Sequence, residues 1–227
     1  MSADLKNSAP IKGALFDMDG LLLDTERLYM ASFNATVAQF DLPEMPEVAM
    51  RCIGLRADAT AVIVTEALAG RVDYARFDMI CRARFAQSLS QNIPLRPGAK
   101  ALLQHLKSCG LPCALATSTH TEMALEHLQT TGLAEYFRHV IGGDQIKNAK
   151  PAPDIYHKAA QSLGLEAHEC AAFEDSDPGA TAAVRSGART VQIPDIKQPS
   201  ANTRALGHLI APSLLEGAHK IGLFKDF

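Results

Sequence analysis

Short apolar runs alternate with amphipathic segments along most of this chain. Five runs have the length and apolar character of buried strands, at 13–16, 113–116, 140–141, 170–173 and 190–193. From Pro97 onward, apolar residues between these runs recur at helical spacing, which predicts helices over 98–109, 122–131, 153–163 and from 177 to about 187. Such alternation requires right-handed crossovers and a parallel sheet with helices on both faces. The pattern predicts an α/β fold with a doubly wound parallel sheet.

One long segment interrupts the alternation. Residues 27 to about 93 contain three helical stretches, at 28–40, 57–69 and 77–89, and no strand signal. We therefore predict an α-helical cap domain at 27–93, inserted into a core domain formed by 1–26 and 94–227. The segments 24–26 and 94–97 are the two connections across which cap and core can move.

Composition excludes several classes of partner. The 227 residues are 47% apolar, which is enough for a core with an inserted subdomain, and the net charge of −3 comes with scattered basic residues. We therefore expect neither nucleic acid nor anionic lipid as a partner. No apolar stretch approaches the roughly 20 residues of a membrane span, and the polar start lacks a signal-peptide layout. The prediction is a cytoplasmic protein that does not bind membranes.

Two further features of the composition bear on assembly and redox state. The five cysteines are odd in number and widely spaced, which favours reduced thiols. Aromatic residues are 6% of the chain and tryptophan is absent, so no large interface is evident. A monomer or a small homo-oligomer is expected.

Four acidic residues follow two of the predicted strands. Asp17 and Asp19 come directly after the first strand, and Glu174 and Asp175 end the run at 170–173. The carboxyl ends of strands in a doubly wound sheet can face one crevice, and four acids gathered there need a cation. The sequence therefore predicts a magnesium site, provided that Asp17 and Asp175 lie close enough to share one ion. Taken alone, Asp17-Met18-Asp19-Gly20 equally fits a polar turn, with Gly20 supplying the unusual dihedral angles.

The first two acids fit a two-step phosphoryl transfer. A carboxylate beside a divalent cation can attack phosphorus, which makes Asp17 a candidate nucleophile. Asp19 would then protonate the leaving alkoxide and later activate water, a role that contributes about 10²–10⁴-fold in rate.

Polar residues after other strands could bind a phosphate. Thr117 and Ser118 precede a predicted helix, where a hydroxyl and backbone N–H groups can bind phosphate oxygens, although one of them could simply cap that helix. Lys150, restricted by the following proline, could screen the carboxylates and touch the phosphate, although a lysine is ordinarily exposed. Asp177 is expected to cap the helix that it begins.

Together these residues carry a family resemblance that covers nearly the whole chain. Asp17-Met18-Asp19-Gly20, Thr117, Lys150 and Glu174-Asp175 resemble the four ordered motifs of the haloacid dehalogenase superfamily. The helical insertion after the first motif is similar to the subgroup of beta-phosphoglucomutase, phosphoglycolate phosphatase and sugar-phosphate phosphatases. The segment 21–29 is most similar to the pseudouridine-5'-phosphatase branch.

The resemblance implies a Mg²⁺-dependent phosphatase that hydrolyses a small phosphate monoester, of the sugar phosphate or nucleoside monophosphate type, through an aspartyl-phosphate at Asp17. It implies that the metal is held by Asp17, the carbonyl of Asp19, Asp175 and Glu174. Glu174 would either bind the ion directly or hold one of its ligands in place. The candidate phosphate-binding residues are Gly20, Thr117 and Lys150 from the motifs, together with the neighbouring Ser118.

Other activities remain as alternatives. Dehalogenation is disfavoured, because Asp19 and the Glu174-Asp175 pair belong to phosphate chemistry. A phosphomutase of the beta-phosphoglucomutase type usually has a histidine where this chain has Tyr29 and an arginine at the position of Ala57, so both differences favour hydrolysis. A phosphosugar-binding module without turnover gains no support, since all the acids are present. Candidate substrate contacts in the cap are Arg56, Tyr29, Arg82 and Arg84, although ordinary surface or packing roles fit each of them equally.

Overall fold

The chain divides into two compact units. The computed structural model describes residues 10–53 and 57–224. One unit, the sheet unit, comprises Met1–Leu23 and Leu95–Phe227, and the other, the helical unit, comprises Asp24–Pro94. The helical unit thus begins slightly before and ends slightly after the segment 27–93 expected from the sequence.

One parallel sheet forms the centre of the sheet unit. In the described residues its strands are β1 (Gly13–Phe16), β2 (Cys113–Ala116), β3 (His139–Ile141), β4 (Cys170–Glu174), β5 (Arg189–Gln192) and β6 (Leu209–Ile210). The prediction of a doubly wound parallel sheet is confirmed, and the first five strands match the predicted runs to within one residue at each end. The sequence did not predict β6, because it has two residues and both are only partly buried.

Four helices occupy the described part of the helical unit. They are α1 (Thr25–Gln39), α2 (Pro46–Cys52), α3 (Ala57–Leu68) and α4 (Tyr74–Gln91). Their apolar faces meet in an interior that includes Phe33, Val37 and Phe77. The sequence did not predict α2, because this seven-residue helix begins at a proline and buries only two of its side chains.

The α-helices of the sheet unit are α5 (Ala99–Ser108), α6 (Thr121–Thr130), α7 (Asp154–Ser162), α8 (Asp177–Arg185), α9 (Ala201–Arg204) and α10 (Leu214–Lys220). The first four correspond to the four helices predicted after Pro97, whereas the sequence analysis did not predict α9 and α10. Helix α7 packs against β1, β2 and β3, whereas α8 packs against β4 and β5. Apolar residues at helical spacing, such as Leu102 and Leu106 of α5, explain why these segments bury one face.

The strand order brings β1 and β4 side by side. The order across the sheet is β3-β2-β1-β4-β5-β6, so the direction of winding reverses between β1 and β4. Ligand sites of doubly wound sheets lie at such a reversal, beyond the carboxyl ends of the strands. Phe16 pairs with Phe173 in the register, and the N–H of Asp17 donates to the carbonyl of Phe173 at 3.0 Å. Asp17 and Glu174 therefore lie next to each other at the carboxyl ends of β1 and β4.

A helix that crosses a bilayer needs about 20 predominantly apolar residues. Among the residues that the structure describes, none of the helices combines the length and the apolar composition that crossing a membrane requires.

Candidate active site

Three buried carboxylates meet at the reversal point of the sheet. Asp17 follows β1, Glu174 is the last residue of β4, and Asp175 comes next; their exposed fractions are 6%, 0% and 7%. One carboxylate oxygen from each residue lies within 4.8 Å of the others. Asp17 and Asp175 are therefore close enough to share one ion, as the sequence-based hypothesis requires.

Lys150 reaches the same point from the loop before α7. Its Nζ lies 2.5 Å from Asp17 Oδ1, 2.6 Å from Glu174 Oε1 and 3.0 Å from the carbonyl oxygen of Ala116. Each of the three ammonium hydrogens therefore has an acceptor. With its side chain 6% exposed, Lys150 is a buried member of the cluster and not an ordinary surface lysine.

The cluster carries an excess of negative charge. Burial raises the pKa of the Asp17 carboxyl against the opposing charge of Lys150, and the charges of Glu174 and Asp19 raise it further. Burial by itself would lower the pKa of Lys150, but Asp17 and Glu174 outweigh it and the pKa is raised. The three buried carboxylates thus outnumber the one ammonium group, and hard oxygen ligands of this kind fit a divalent cation.

Glu174 is held by a dense set of donors. Its Oε1 accepts from Lys150 and, at 2.7 Å, from the hydroxyl of Tyr156. Its Oε2 accepts from the N–H groups of Asp175 and Ser176, at 3.1 and 3.3 Å, and from the Ser176 hydroxyl at 3.1 Å. Five donors occupy two oxygens that together offer about four lone-pair sites.

Sequence reasoning missed Tyr156. This residue is fully buried on α7, and burial, followed by the charge of Glu174, raises the pKa of its phenol well above the usual range. The available signal was a tyrosine on the apolar face of the helix that follows Lys150, where a buried hydroxyl needs a partner.

The expectation that Asp177 caps α8 is wrong. Ser176 is the N-cap residue, and its hydroxyl accepts from the N–H of Gly179 at 3.2 Å. The carboxylate of Asp177 instead accepts from the N–H of Ser200 at 3.0 Å and from the side-chain amide of Gln192 at 3.4 Å. Ser176 has the extended backbone that an N-cap requires, whereas Asp177 is already the first helical residue.

Asp19 and Gly20 form the turn after β1. Asp19 is partly exposed, and its Oδ2 accepts from the hydroxyl of Thr119 at 2.7 Å. Gly20 has a φ of +81°, a conformation that favours glycine, and its N–H donates to the carbonyl of Leu23 at 2.9 Å. The backbone N–H of Gly20 is therefore already paired within the turn.

Thr117 and Ser118 lie in the loop between β2 and α6. Thr117 is buried; its N–H donates to the carbonyl of Ile141 at 3.0 Å, and its Oγ1 accepts from the N–H of Thr119 at 3.1 Å. Ser118 is exposed. The alternative that Thr117 or Ser118 caps the next helix is wrong, since α6 begins at Thr121 and its N-cap position is His120.

Three of the four candidate substrate contacts in the helical unit are described by the structure, and each contacts another side chain of that unit. Arg56 lies outside the described residues, and so does the side chain of Ala57. Arg82 pairs with Asp78 at 2.6 Å, and Arg84 donates to the Gln39 side chain at 2.7 Å. The Tyr29 ring packs edge-on against Phe85, with 5.8 Å between ring centroids. Arg82, Arg84 and Tyr29 thus have partners within the helical unit itself.

Comparison with known proteins agrees with this arrangement. Residues 14–193 match the family model of the haloacid dehalogenase-like hydrolases. A protein of Drosophila melanogaster named "Probable pseudouridine-5'-phosphatase" is 35% identical over 187 residues, which are 80% of each chain. A phosphorylated carbohydrates phosphatase of Thermotoga maritima is 32% identical over 177 residues, covering 78% of this chain and 82% of the relative.

A solved structure extends the likeness to the full fold. The crystal structure of a hydrolase from Deinococcus radiodurans R1, with bound phosphate and sodium, superimposes with a TM-score of 0.82 at 26% sequence identity. The match covers 97% of this chain and all of that one. The similarity therefore includes both the sheet unit and the helical insertion.

Proposed function

Because the chain belongs to the haloacid dehalogenase-like hydrolases, we propose that it is a Mg²⁺-dependent phosphatase acting on a small phosphate monoester. The observation that carries the proposal is the meeting of Asp17, Glu174 and Asp175 within 4.8 Å. The names of the Drosophila and Thermotoga relatives favour a substrate of the nucleoside monophosphate or sugar phosphate type. We further propose that the protein acts in the cytoplasm, as a monomer or small homo-oligomer.

The residues that would hold Mg²⁺ are Asp17, Asp175 and the backbone carbonyl of Asp19. Hard carboxylate oxygens, together with substrate and water, match the ligands that this ion prefers. When bound, Mg²⁺ would supply the positive charge that neutralises the carboxylates and the phosphate oxygens. Glu174 is better suited to hold Lys150 than to bind the ion, since its oxygens already accept from five donors.

The chemistry begins at Asp17. We assign one oxygen of its carboxylate to form a bond with the substrate phosphorus while the bond to the ester oxygen breaks. Lys150, at 2.5 Å, holds the carboxylate in place and favours its anionic form. The product of this step is an aspartyl-phosphate and a free alcohol.

Asp19 is assigned as the general acid and base. Its carboxyl group donates a proton to the departing alkoxide, and afterwards it takes a proton from water as that water attacks the aspartyl-phosphate. The second step releases inorganic phosphate and restores Asp17. The partial exposure of Asp19 gives it access to both the ester oxygen and water.

Thr117, Ser118, Lys150 and Gly20 are assigned to the phosphate. For Thr117 the side-chain hydroxyl is the available donor, because its backbone N–H is paired with Ile141. For Gly20 the assignment concerns the shape of the turn, because the Gly20 N–H is already paired with the carbonyl of Leu23. The cap segment 27–93 and Arg56 within it are proposed to select the substrate.

A substrate panel tests the proposal. Purified protein should release inorganic phosphate from at least one sugar phosphate or nucleoside monophosphate and from p-nitrophenyl phosphate, and only when Mg²⁺ is present. Asp17→Asn should abolish release because it removes the nucleophile, while the circular dichroism spectrum stays unchanged. Asp19→Asn should bind substrate with little change in KM and lose about 10²–10⁴-fold in kcat.

The same panel separates the alternatives. Substantial phosphate release by Asp17→Asn would exclude the covalent route. An isomerised sugar phosphate, formed without phosphate release, would identify a phosphomutase, whereas no product with any ester would leave only a binding module.

A further inference from the structure

Thr119 contacts the proposed acid and base from a different loop. Its hydroxyl donates to Oδ2 of Asp19 at 2.7 Å, across 100 residues of sequence. Thr119 lies between β2 and α6, whereas Asp19 follows β1, and β1 and β2 are neighbours in the sheet. The contact therefore depends on the pairing of these two strands.

The loop holds Thr119 by both of its backbone groups. Its N–H donates to Thr117 Oγ1 at 3.1 Å, and its carbonyl accepts from the N–H of Gly143 at 3.1 Å. The Gly143 backbone packs so closely on the loop that a Cβ there would lie 2.5 Å from the carbonyl oxygen of Ser118. The backbone of Thr119 is thus held on both sides, and its side chain carries the hydroxyl that bonds to Asp19.

A held carboxylate differs from a free one in orientation. The terminal torsion of an aspartate is broad, so a carboxyl group without a fixed donor samples a wide range of angles. A donor on Oδ2 restricts this rotation and so fixes the orientation of the carboxyl group. Small displacements of a reacting group cost up to about 10²-fold in rate.

We propose, on the basis of the proposed function, that Thr119 is a positioning residue that orients the Asp19 carboxyl group toward the leaving oxygen of the ester. Thr119 makes no bond to the reacting phosphorus in this role and acts only through Asp19. Its removal should therefore matter most when the leaving group needs a proton.

Leaving-group dependence gives the test. An alkoxide is a poor leaving group and needs the proton from Asp19, whereas p-nitrophenolate leaves without one. The value of kcat/KM reports the steps up to departure of the alcohol, so it is independent of the later hydrolysis of the aspartyl-phosphate. Thr119→Val should lower kcat/KM about tenfold or more for the alkyl phosphate that the wild type hydrolyses fastest, and by less than about threefold for p-nitrophenyl phosphate.

Two matched variants complete the comparison. Thr119→Ser keeps the hydroxyl and should restore the alkyl phosphate rate to within about threefold of the wild type. Thr130→Val removes a hydroxyl that bonds to its own helix, at the carbonyl of Glu126, and should change neither rate. Because both esters are measured on one preparation, their ratio does not depend on the fraction of protein that is folded.

A double-mutant cycle tests whether Thr119 acts through Asp19. In the Asp19→Asn background, Thr119→Val should cause no further loss in the alkyl phosphate rate. Equal losses for both esters, or additive losses in the cycle, would overturn the inference while leaving the phosphatase intact. A wild type that hydrolyses no alkyl phosphate would overturn both the inference and the proposed function.

Discussion

Glu174 is a single side chain held in place by several hydrogen bonds. Its two oxygens accept from Lys150, Tyr156, Asp175 and Ser176, and the side chain is fully buried. A buried carboxylate is tolerated only when donors replace its water. The same bonds hold the Lys150 ammonium 2.5 Å from Asp17, so the support of the proposed nucleophile begins with Glu174.

Removal of one of these donors should destabilise the sheet unit. Tyr156→Phe deletes the hydroxyl that lies 2.7 Å from Glu174 Oε1. We expect the free energy of unfolding to fall by about 1.5–3 kcal/mol, the usual contribution of a hydrogen bond to a charged group, as measured by urea denaturation.

The control for this variant is Tyr136→Phe. Tyr136 is partly exposed, and the described residues offer its hydroxyl no hydrogen-bond partner, so a change within about 0.5 kcal/mol is expected. Equal effects of the two substitutions would mean that the bond to Glu174 contributes no stability.

The register of β1 against β4 decides which side chains meet. Phe16 lies opposite Phe173, so the residues that follow, Asp17 and Glu174, emerge together. A slip by one residue would turn each side chain to the opposite face of the sheet. Helix α8 then returns from Ser176, whose hydroxyl both caps the helix and donates to Glu174.

The start of α8 has no room for a larger residue at Gly179. A Cβ built on Gly179 would overlap the carboxylate of Glu174. Gly179→Ala should therefore displace that carboxylate from its donors and lower the free energy of unfolding by about 1–3 kcal/mol in urea denaturation.

The neighbouring Pro178 provides the comparison. This residue is exposed in the first turn of α8, so Pro178→Ala should cost less than about 1 kcal/mol. If Gly179→Ala were as mild as Pro178→Ala, the close approach of α8 to Glu174 would not constrain the helix.

The sheet unit is assembled from two separate parts of the chain. Met1–Leu23 contributes β1, and Leu95–Phe227 contributes the other strands. The two parts are joined by the antiparallel bridge between Leu23 and Leu95 and by the bond from the N–H of Arg96 to the carbonyl of Leu22 at 2.8 Å. Asp17 therefore belongs to Met1–Leu23, while Lys150, Glu174 and Asp175 belong to Leu95–Phe227.

Cation binding should stabilise this assembly. Because the buried acids carry excess negative charge and lie on both parts, Mg²⁺ should bind the folded sheet unit and not the unfolded chain. At 100 times its Kd the ion should add about 2.7 kcal/mol, or about 5–10 °C in Tm, by calorimetry against an EDTA sample. Asp175→Asn should reduce this shift, and an identical shift in that variant would exclude Asp175 as a ligand.

The local pattern of the chain was sufficient for most of the elements, though not for α2, α9, α10 or β6, and for part of the site. Apolar runs of four residues that end in Asp17 or Glu174-Asp175 predict strands with acids at their carboxyl ends, since hydrophobic periodicity and charge are local properties. The doubly wound sheet followed from the alternation and is confirmed. The cytoplasmic location and the roles of the individual site residues stay predictions.

Only the tertiary structure decided which of these groups touch. The bonds from Thr119 to Asp19 and from Lys150 to Asp17 span 100 and 133 residues, and that from Tyr156 to Glu174 links a helix to a strand. Such contacts depend on strand order and register. Both arise from packing of the whole sheet, so the hydrophobic periodicity of the sequence does not reveal them. For the same reason a local pattern could not distinguish Ser176 from Asp177 as the helix cap: the choice depends on which residue takes the extended backbone where β4 ends.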